Sequence, residues 1–209
     1  MRHMTKGGWL AAGWLLLALA PMRTAYGQLG FFNVQLDPGL QLVGDPLVSA
    51  QNNRLAVVFP GVPQGTEVYE FGAGDFSTNI LTTNAVAALV WQDPLETLPP
   101  GVGAFVLNPT NKVLTVSIFG NAASTSVTNP VPAGLSSTAS YTAVWGGLTS
   151  KLGLSLSPFD NVYRWEKGRF VVYTQLPGGG WYPAEPNIGL GEGFFINASQ
   201  PTNWVEPAR

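Results

Sequence analysis

The feature that most constrains the fold of this chain is an internal duplication with a period of about 90 residues. Residues 68–76 and 162–170 align without a gap, 94 positions apart. Farther along the chain, residues 101–106 and 191–196 align at a distance of 90 positions. A period of this length is too long for one rung of a solenoid and is typical of two equivalent β lobes.

Short alternating runs of apolar and polar residues recur between turn residues, whereas helical periodicity is scarce. This pattern predicts an all-β fold of antiparallel hairpins. We expect two pseudo-repeated, sandwich-like lobes, residues 28–120 and 121–209, which meet at the Ser/Thr/Asn-rich stretch 121–129. Residues 53–59 and 148–154 are each predicted to form one helical turn. The predicted strands are 31–36, 40–43, 67–71, 76–81, 89–92, 103–107, 113–119, 124–128, 135–143, 161–165, 170–175, 180–182, 193–197 and 203–206.

Each of the two segments that align without a gap is predicted to be a β-hairpin with a three-residue loop. The last loop residue, Gly74 or Gly168, would supply the positive φ of the bulge that closes the hairpin. A weaker match upstream, between residues 38–40 and 133–135, lies 95 positions apart. The three offsets, 94, 90 and 95 positions, indicate small insertions and deletions between the copies.

The N-terminus has the three-part layout of a secretory signal peptide. Arg2 and Lys6 precede an apolar run over residues 9–20, and small residues stand at the positions expected before cleavage after Gly27. Twelve helical residues span about 18 Å, less than the roughly 30 Å of a bilayer core. We therefore predict a signal peptide over residues 1–27, secretion to the periplasm, cell surface or extracellular space, and no membrane span after cleavage. An uncleaved anchor is the alternative.

The composition after residue 27 excludes several classes of chemistry. Twelve acidic and seven basic side chains give residues 28–209 a formal charge of −5, so nucleic acid is not an expected partner. The chain has no Cys and its one His precedes residue 28, which excludes thiol and imidazole catalysis and Cys/His zinc sites. The closest carboxylates in sequence, Asp160, Glu166, Glu185 and Glu192, are better explained as turn residues than as a hydrolase pair. We predict no enzyme, no metal and no cofactor.

Three motifs recur at similar spacing in a known kind of module. They are Gly-Leu-Gln-Leu-Val-Gly-Asp-Pro-Leu at 39–47, Gly-Thr-Glu-Val-Tyr-Glu-Phe at 65–71 and Pro-Gly-Val-Gly-Ala-Phe-Val at 100–106. The second copy keeps the later motifs at 161–165 and 189–196 but has lost the opening one. The chain thus resembles an uncharacterised β-module common in exported bacterial surface proteins, here as a degenerate tandem duplication. The resemblance implies a β-sandwich accessory or surface domain and no catalytic residues.

Four aromatic residues crowd into the second copy: Trp165, Tyr173, Trp181 and Tyr182. Exposed flat rings of this kind would make a sugar-binding surface. Core packing is the alternative, since Trp and Tyr carry large apolar area. The two Trp residues have aromatic counterparts in the first copy, as core positions would, whereas the two Tyr residues have none. The two Tyr side chains are therefore the better candidates for exposure.

The matched hairpins carry opposite charges at equivalent positions. Glu70 and Asp75 in the first copy correspond to Arg164 and Arg169 in the second. One hypothesis is that the two hairpins meet through these charges, within one chain or between chains. Ordinary solvated charges, which stabilise a protein by less than about 1 kcal/mol per pair, are the alternative.

Together these features predict an exported, non-catalytic structural or binding module of the cell surface or extracellular space. It would act through protein contacts or self-association. The first alternative is a carbohydrate-binding module that holds a polysaccharide with Trp165, Tyr173, Trp181 and Tyr182, and the third reading is a carboxylate-based glycoside hydrolase. The sequence leaves open the partner, the oligomeric state and whether the two repeats share one core.

Overall fold

The computed structural model of the chain describes residues 28–49 and 51–208, so the predicted leader, residues 1–27, lies outside the described residues. Strands account for 52% of the structure and helix for 2%, which confirms the predicted all-β class. The helix α1 spans Leu55–Val58, inside the predicted segment 53–59, and residues 148–154 form turns and irregular structure. The strands are β1 (Gln28–Leu36), β2 (Gly39–Gly44), β3 (Leu47–Val48), β4 (Glu67–Gly72), β5 (Asp75–Thr83), β6 (Leu89–Trp91), β7 (Gly103–Asn108), β8 (Leu114–Ala122), β9 (Val127–Val131), β10 (Gly134–Ala139), β11 (Gly146–Gly147), β12 (Asn161–Glu166), β13 (Arg169–Gln175), β14 (Trp181–Tyr182), β15 (Asn187–Ile188), β16 (Gly193–Ala198) and β17 (Thr202–Glu206).

The duplication seen in the sequence recurs in the topology of the sheets. The first repeat contains a five-stranded sheet of order β2-β7-β4-β5-β6, and the second contains β10-β16-β12-β13-β14, the same order of equivalent strands. A sheet of order β1-β8-β3 accompanies the first, and the pair β17-β9 accompanies the second. All of these pairings are antiparallel. Each repeat is therefore a small two-layer unit built on one plan.

The hairpin loops are shorter than the sequence predicted. Ala73 and Gly74 have φ angles of 52° and 87°, and Lys167 and Gly168 have 51° and 79°. The flanking strands pair directly up to these two residues, so the predicted three-residue loop with a bulge was wrong. Two successive positive φ angles are the pattern of a type I′ turn, whose twist matches that of the paired strands.

The predicted join between the repeats is mostly strand. β8 continues to Ala122, and β9 begins at Val127 and pairs with β17, so residues 123–126 alone connect the two. The predicted boundary between residues 120 and 121 thus falls inside β8. A connection this short holds the two repeats close together.

Three clusters of buried apolar side chains form the core. One lies in the first repeat and another in the second, each between the five-stranded sheet and the smaller sheet. Ala143 and Leu190 of the second repeat also pack against the first cluster. The third cluster, centred on Leu42, Phe105 and Phe195, lies between the two five-stranded sheets. Each repeat therefore has its own core, and a further apolar layer joins them.

Main-chain contacts between the repeats are repeated about a pseudo-two-fold axis. The amide of Gly44 donates to the carbonyl of Gly191 at 3.0 Å, and the amide of Ala139 donates to the carbonyl of Gly101 at 3.1 Å. Gly44 and Ala139 end equivalent strands, and the two acceptors precede equivalent strands. The repeats thus meet as two halves of a symmetric pair.

Glycine is required where the backbones approach most closely. A Cβ atom on Gly193 would lie 2.7 Å from the carbonyl oxygen of Val43 and 3.2 Å from the Cα of Gly103. A Cβ atom on Gly103 would lie 2.5 Å from the carbonyl oxygen of Thr138. Both glycines begin equivalent strands, β7 and β16, so the same close approach occurs on both sides of the axis.

Candidate functional site

Six aromatic rings line the contact between the two repeats, and we call this set the aromatic seam. Its centre is the pair of equivalent residues Phe105 and Phe195, with ring centroids 6.1 Å apart. Trp165 packs on Phe105 at 5.1 Å, and Phe71 packs on Phe195 at 5.4 Å, both edge to face. The rings of the seam are Phe71, Phe76, Phe105, Trp165, Phe170 and Phe195.

The hairpin tips reach across the seam in both directions. Phe76 lies 6.3 Å from Phe195 of the other repeat, and Phe170 lies 6.0 Å from Phe105. These two hairpin phenylalanines remain 45% and 44% exposed. The seam therefore joins the repeats and also presents apolar surface to the outside.

Two open clefts flank the exposed rings and are related to each other by the pseudo-two-fold axis. The first cleft, of roughly 320 Å³, is lined by Leu40, Tyr69, Phe76, Phe105, Trp165 and Phe170. The second cleft, of roughly 380 Å³, is lined by Phe71, Phe76, Leu135, Tyr163, Phe170, Phe195 and Asn197. Each cleft is built from both repeats, and its lining is almost entirely apolar. Every lining residue except Asn197 has its equivalent in the other cleft, so the duplication has produced two related sites.

The clefts present few groups that could bind a polar ligand. In the first cleft, the Tyr69 hydroxyl donates a hydrogen bond to Glu67, and Nε1 of Trp165 donates to a main-chain carbonyl. In the second cleft, Asn197 and the hydroxyl of Tyr163 are the polar groups of the lining. Leu40 and Leu135 stand at equivalent rims of the two clefts and are 40% and 49% exposed. The arrangement suits apolar groups.

The four aromatic residues predicted to bind sugar lie in different places. Trp165 belongs to the aromatic seam, and its Nε1 donates to the carbonyl of Leu40 at 2.8 Å. Trp181 is 8% exposed and belongs, with Tyr173, to the core of the second repeat. Tyr182 is 68% exposed at the edge strand β14. The structure does not bring the four rings together into one flat surface.

The predicted charged residues do not pair across the repeats. Arg164 donates to Glu192 through Nε at 2.8 Å and Nη2 at 3.1 Å, and its Nη1 lies 2.8 Å from Glu166. Burial opposes the charge of Arg164, but the hydrogen bonds and charge of Glu192 outweigh it and raise the pKa of the guanidinium. Asp75 and Arg169 lie exposed at the hairpin tips. Within the chain, the rings of each hairpin pack on a central phenylalanine of the opposite repeat, and charge pairing between chains stays a prediction.

Glu70, the counterpart of Arg164, lies in a different environment. Its Oε1 is buried and has no hydrogen-bond partner among the described residues. Burial, and then the negative charge of Glu96, raise the pKa of Glu70 to about 7. At equivalent positions, the second repeat thus has an arginine paired with carboxylates, and the first repeat has a carboxyl group with an unpartnered buried oxygen.

The four carboxylates considered for hydrolysis are all engaged in local structure. Asp160 accepts from the amides of Ser157 and Ser199, at 2.9 and 2.8 Å. Glu185 accepts from the amides of residues 149 and 150, and Glu166 and Glu192 bind Arg164. Over the ranges that the structure describes, no three acidic or histidine side chains form a group that could hold a metal ion.

The main residues that build the clefts were not predicted from the sequence, chiefly Phe76, Phe170 and Phe195. A usable signal was present in the aligned segments. Aromatic side chains occupy the same places in both copies at 76 and 170, and at 105 and 195. The repeated ring positions indicated a layer shared by the repeats.

Comparison with protein-family models, with curated proteins and with solved structures found no match to this chain. None of the helical structure within residues 28–49 and 51–208 is long and apolar enough to cross a membrane.

Proposed function

We propose that this chain is an exported, non-catalytic binding module that holds a partner protein through its twin apolar clefts. The observation that carries the proposal is the pair of equivalent clefts, each lined by rings and leucine from both repeats. Apolar surface buried on binding contributes about 25 cal/mol per Å², so such clefts favour apolar side chains. The predicted leader supports export.

The clefts continue an interface that already exists within the molecule. The edge-to-face contacts that hold Phe105 against Phe195 extend outward to the half-exposed rings of Phe76 and Phe170. A partner's Leu, Phe or Trp side chain placed on these rings would extend the same packing. Aromatic and aliphatic anchors in pockets are the usual energetic centres of protein interfaces. A partner protein with two such anchors is therefore the expected occupant.

Sugar binding fits this surface less well. Sugars present hydroxyl groups in every direction, and a site for them needs hydrogen-bonding side chains beside the ring. The first cleft offers one hydroxyl, on Tyr69, which is already bonded to Glu67. The carbohydrate alternative then depends on exposed Tyr182, which stands apart from the clefts.

The test measures binding of the purified protein to an array of immobilised twelve-residue peptides of random sequence. Peptides rich in Leu, Phe and Trp are expected to bind. Leu40→Ser and Leu135→Ser should each weaken binding at least fivefold because each removes an apolar wall of one cleft. Leu95→Ser is the matched control, since Leu95 is 64% exposed and lines neither cleft.

Three results would overturn the proposal. Peptide binding that is equal in all variants would place the interaction elsewhere. Absence of peptide binding, together with a saturable tryptophan fluorescence change on adding soluble oligosaccharides that Tyr182→Ala abolishes, would establish the carbohydrate alternative. A concentration-dependent dimer that Leu40→Ser and Leu135→Ser dissociate would make a second copy of the chain the occupant.

A further inference from the structure

Among the strands that the structure describes in the first repeat, β1 has the longest edge without a strand neighbour. It lies at one side of the sheet β1-β8-β3 and pairs with β8 over all nine of its residues, without a bulge. Among the described residues, 29–36 make no hydrogen bond to another main-chain group outside this pairing, and the carbonyl of Leu36 accepts one from Asn108 Nδ2 at 2.9 Å. The strand contains no charged residue and no Pro. Natural edge strands usually carry such features because a bare edge is a template for pairing with another chain.

The equivalent edge in the second repeat is protected. β9 has five residues, contains Pro130 and is followed directly by Pro132. Proline has no amide hydrogen and therefore interrupts the row of donors on an edge strand. The two strands occupy equivalent places in the repeats, so β9 and β1 differ in length and in residue types. Proline thus interrupts one of two equivalent edges, and the other has no strand neighbour within the part of the chain that the structure describes.

A groove runs beside the open edge, between the two repeats. It has a volume of roughly 900 Å³, and we call it the inter-repeat groove. Asn33 to Gln35 of β1 form one wall, and Trp165 and Lys167 of the second repeat form another. Leu40 and neighbouring residues of β2 complete it. A space bounded by a strand edge and side-chain walls matches an extended peptide.

The edge of β2, which also borders the groove, is already partly occupied. The carbonyl of Leu40 accepts from Trp165 Nε1 at 2.8 Å. At the other end of the strand, the amide of Gly44 pairs with the carbonyl of Gly191 at 3.0 Å. The interface between the repeats therefore uses β2, and the groove continues from that interface to β1.

The charges around the groove balance. Asp37 and Lys167, of opposite sign, are both exposed in its lining, and Glu192 is neutralised by its ion pair with Arg164. An uncharged segment is therefore preferred over a strongly acidic or basic one. β1 alternates buried Phe32 and Val34 with exposed neighbours. A strand added beside it would show the same alternation, because paired residues in a sheet share a face.

From these observations we propose that β1 binds an extended, uncharged segment of a partner protein as an added β-strand in the inter-repeat groove. This inference rests on the proposed function, protein binding, and names the conformation and chemistry of the bound segment. It uses a surface distinct from the second cleft. Main-chain hydrogen bonds supply affinity in such strand addition, and alternate side chains supply specificity.

The test uses a pool of capped nine-residue peptides in which Val, Ile or Phe alternates with Ser, Thr, Asn or Gln. Amide hydrogen exchange of the full protein is followed by NMR with and without the pool. Over residues 31–35, the exchange rates of the amides that point away from β8 should fall at least tenfold when the peptides bind. Two further peptide series carry N-methyl groups at alternate residues, one at the odd and one at the even positions. One series should lose binding and the other should retain it, because only alternate amides of an added strand face β1.

Two exposed positions provide a matched pair of variants. Gln35→Lys places a charge on the open edge and should weaken binding at least fivefold, since lysine on an edge disfavours strand addition. Thr115→Lys places the same charge on β8 directly opposite Gln35, one strand away from the edge, and should leave binding unchanged. Leu135→Ser alters the second cleft alone and should leave the protection of β1 intact.

The possible failures separate the two proposals. Peptide binding that Leu135→Ser weakens, without protection of β1, would overturn the strand-addition inference and keep the proposed function. Absence of any peptide binding would overturn both. Protection of β1 that rises with protein concentration in the absence of peptide would make a second copy the occupant. If soluble oligosaccharides, and not peptides, change the NMR signals of the groove residues, the ligand of the groove would be a sugar.

Discussion

The two repeats differ most clearly at a pair of equivalent residues, Arg164 and Glu70. Arg164 forms two ion pairs inside its own repeat, whereas Glu70 keeps a buried oxygen without a partner. Across the pseudo-two-fold axis, by contrast, Gly103 and Gly193 make the same close approach. The two strand-initial glycines have thus stayed alike, whereas the charged positions beside the contact have diverged. The symmetric backbone contact therefore constrains these glycines and leaves the neighbouring charged side chains free to differ.

The largest expected effect comes from breaking the symmetric contact. In Gly193→Ala the new Cβ would lie 2.7 Å from the carbonyl oxygen of Val43, so one of the two backbones must move. We expect the free energy of unfolding to fall by about 2–4 kcal/mol in urea denaturation, as for overpacked sites. Gly72→Ala is the control, because a Cβ there meets nothing within 4 Å. Equal stability of the two variants would contradict the close contact.

A smaller effect is expected where the repeats have diverged. Arg164→Met would leave Glu166 and Glu192 without their cation, and it should lower the free energy of unfolding by about 1–3 kcal/mol. Glu70→Met removes a carboxyl group that has no partner, so it should leave stability unchanged or raise it slightly. Urea denaturation of both variants at pH 7.5 measures the difference. If Glu70→Met lowers the free energy of unfolding more than Arg164→Met does, the assigned difference between the two positions would be wrong.

The smallest expected effect concerns pH. Burial is the main cause that raises the pKa of Asp45 and of Glu70 to about 7, whereas such groups titrate near about 4 in an unfolded chain. Between these values the folded protein binds more protons, so the free energy of unfolding falls as pH rises. We expect greater stability at pH 5 than at pH 7.5, by at least about 1 kcal/mol after allowance for solvent screening.

The Glu70→Gln variant sharpens this measurement. It removes one of the two carboxyl groups whose pKa is raised to about 7, so the loss of stability between pH 5 and pH 7.5 should become smaller. Asp45→Asn should do the same. A wild-type protein whose stability rises over this interval would contradict the assigned environments of both carboxyl groups.

Much of the architecture followed from local pattern. Alternation along residues 67–71 and 103–107 predicted strands that the structure contains, because the alternation of side chains in a strand is a local property. The turn type at Ala73-Gly74 was missed, since a glycine with positive φ fits both a bulged three-residue loop and a type I′ turn. The short strands β3, β11 and β15 were also missed, because two residues carry no periodic pattern.

The candidate site followed from the sequence only in part. Trp165 was singled out, but its role in the seam depends on the approach of Phe105 from the other repeat. Such contacts between distant segments are not encoded in local spacing. Trp181 and Tyr182 are neighbours in the chain, yet β14 turns one into the core and the other toward solvent. Which face of a strand is buried depends on how the sheets pack.

The most direct test of the twin-cleft account is an NMR titration with N-acetyl-phenylalanine amide, a small apolar probe. The methyl signals of Leu40 and Leu135 report on the first and second clefts. The account predicts that both signals shift with similar weak affinity, and that Leu135→Ser leaves the response of Leu40 unchanged. Shifts at neither leucine, with a response elsewhere on the protein, would contradict the claim that the duplication built two equivalent apolar sites.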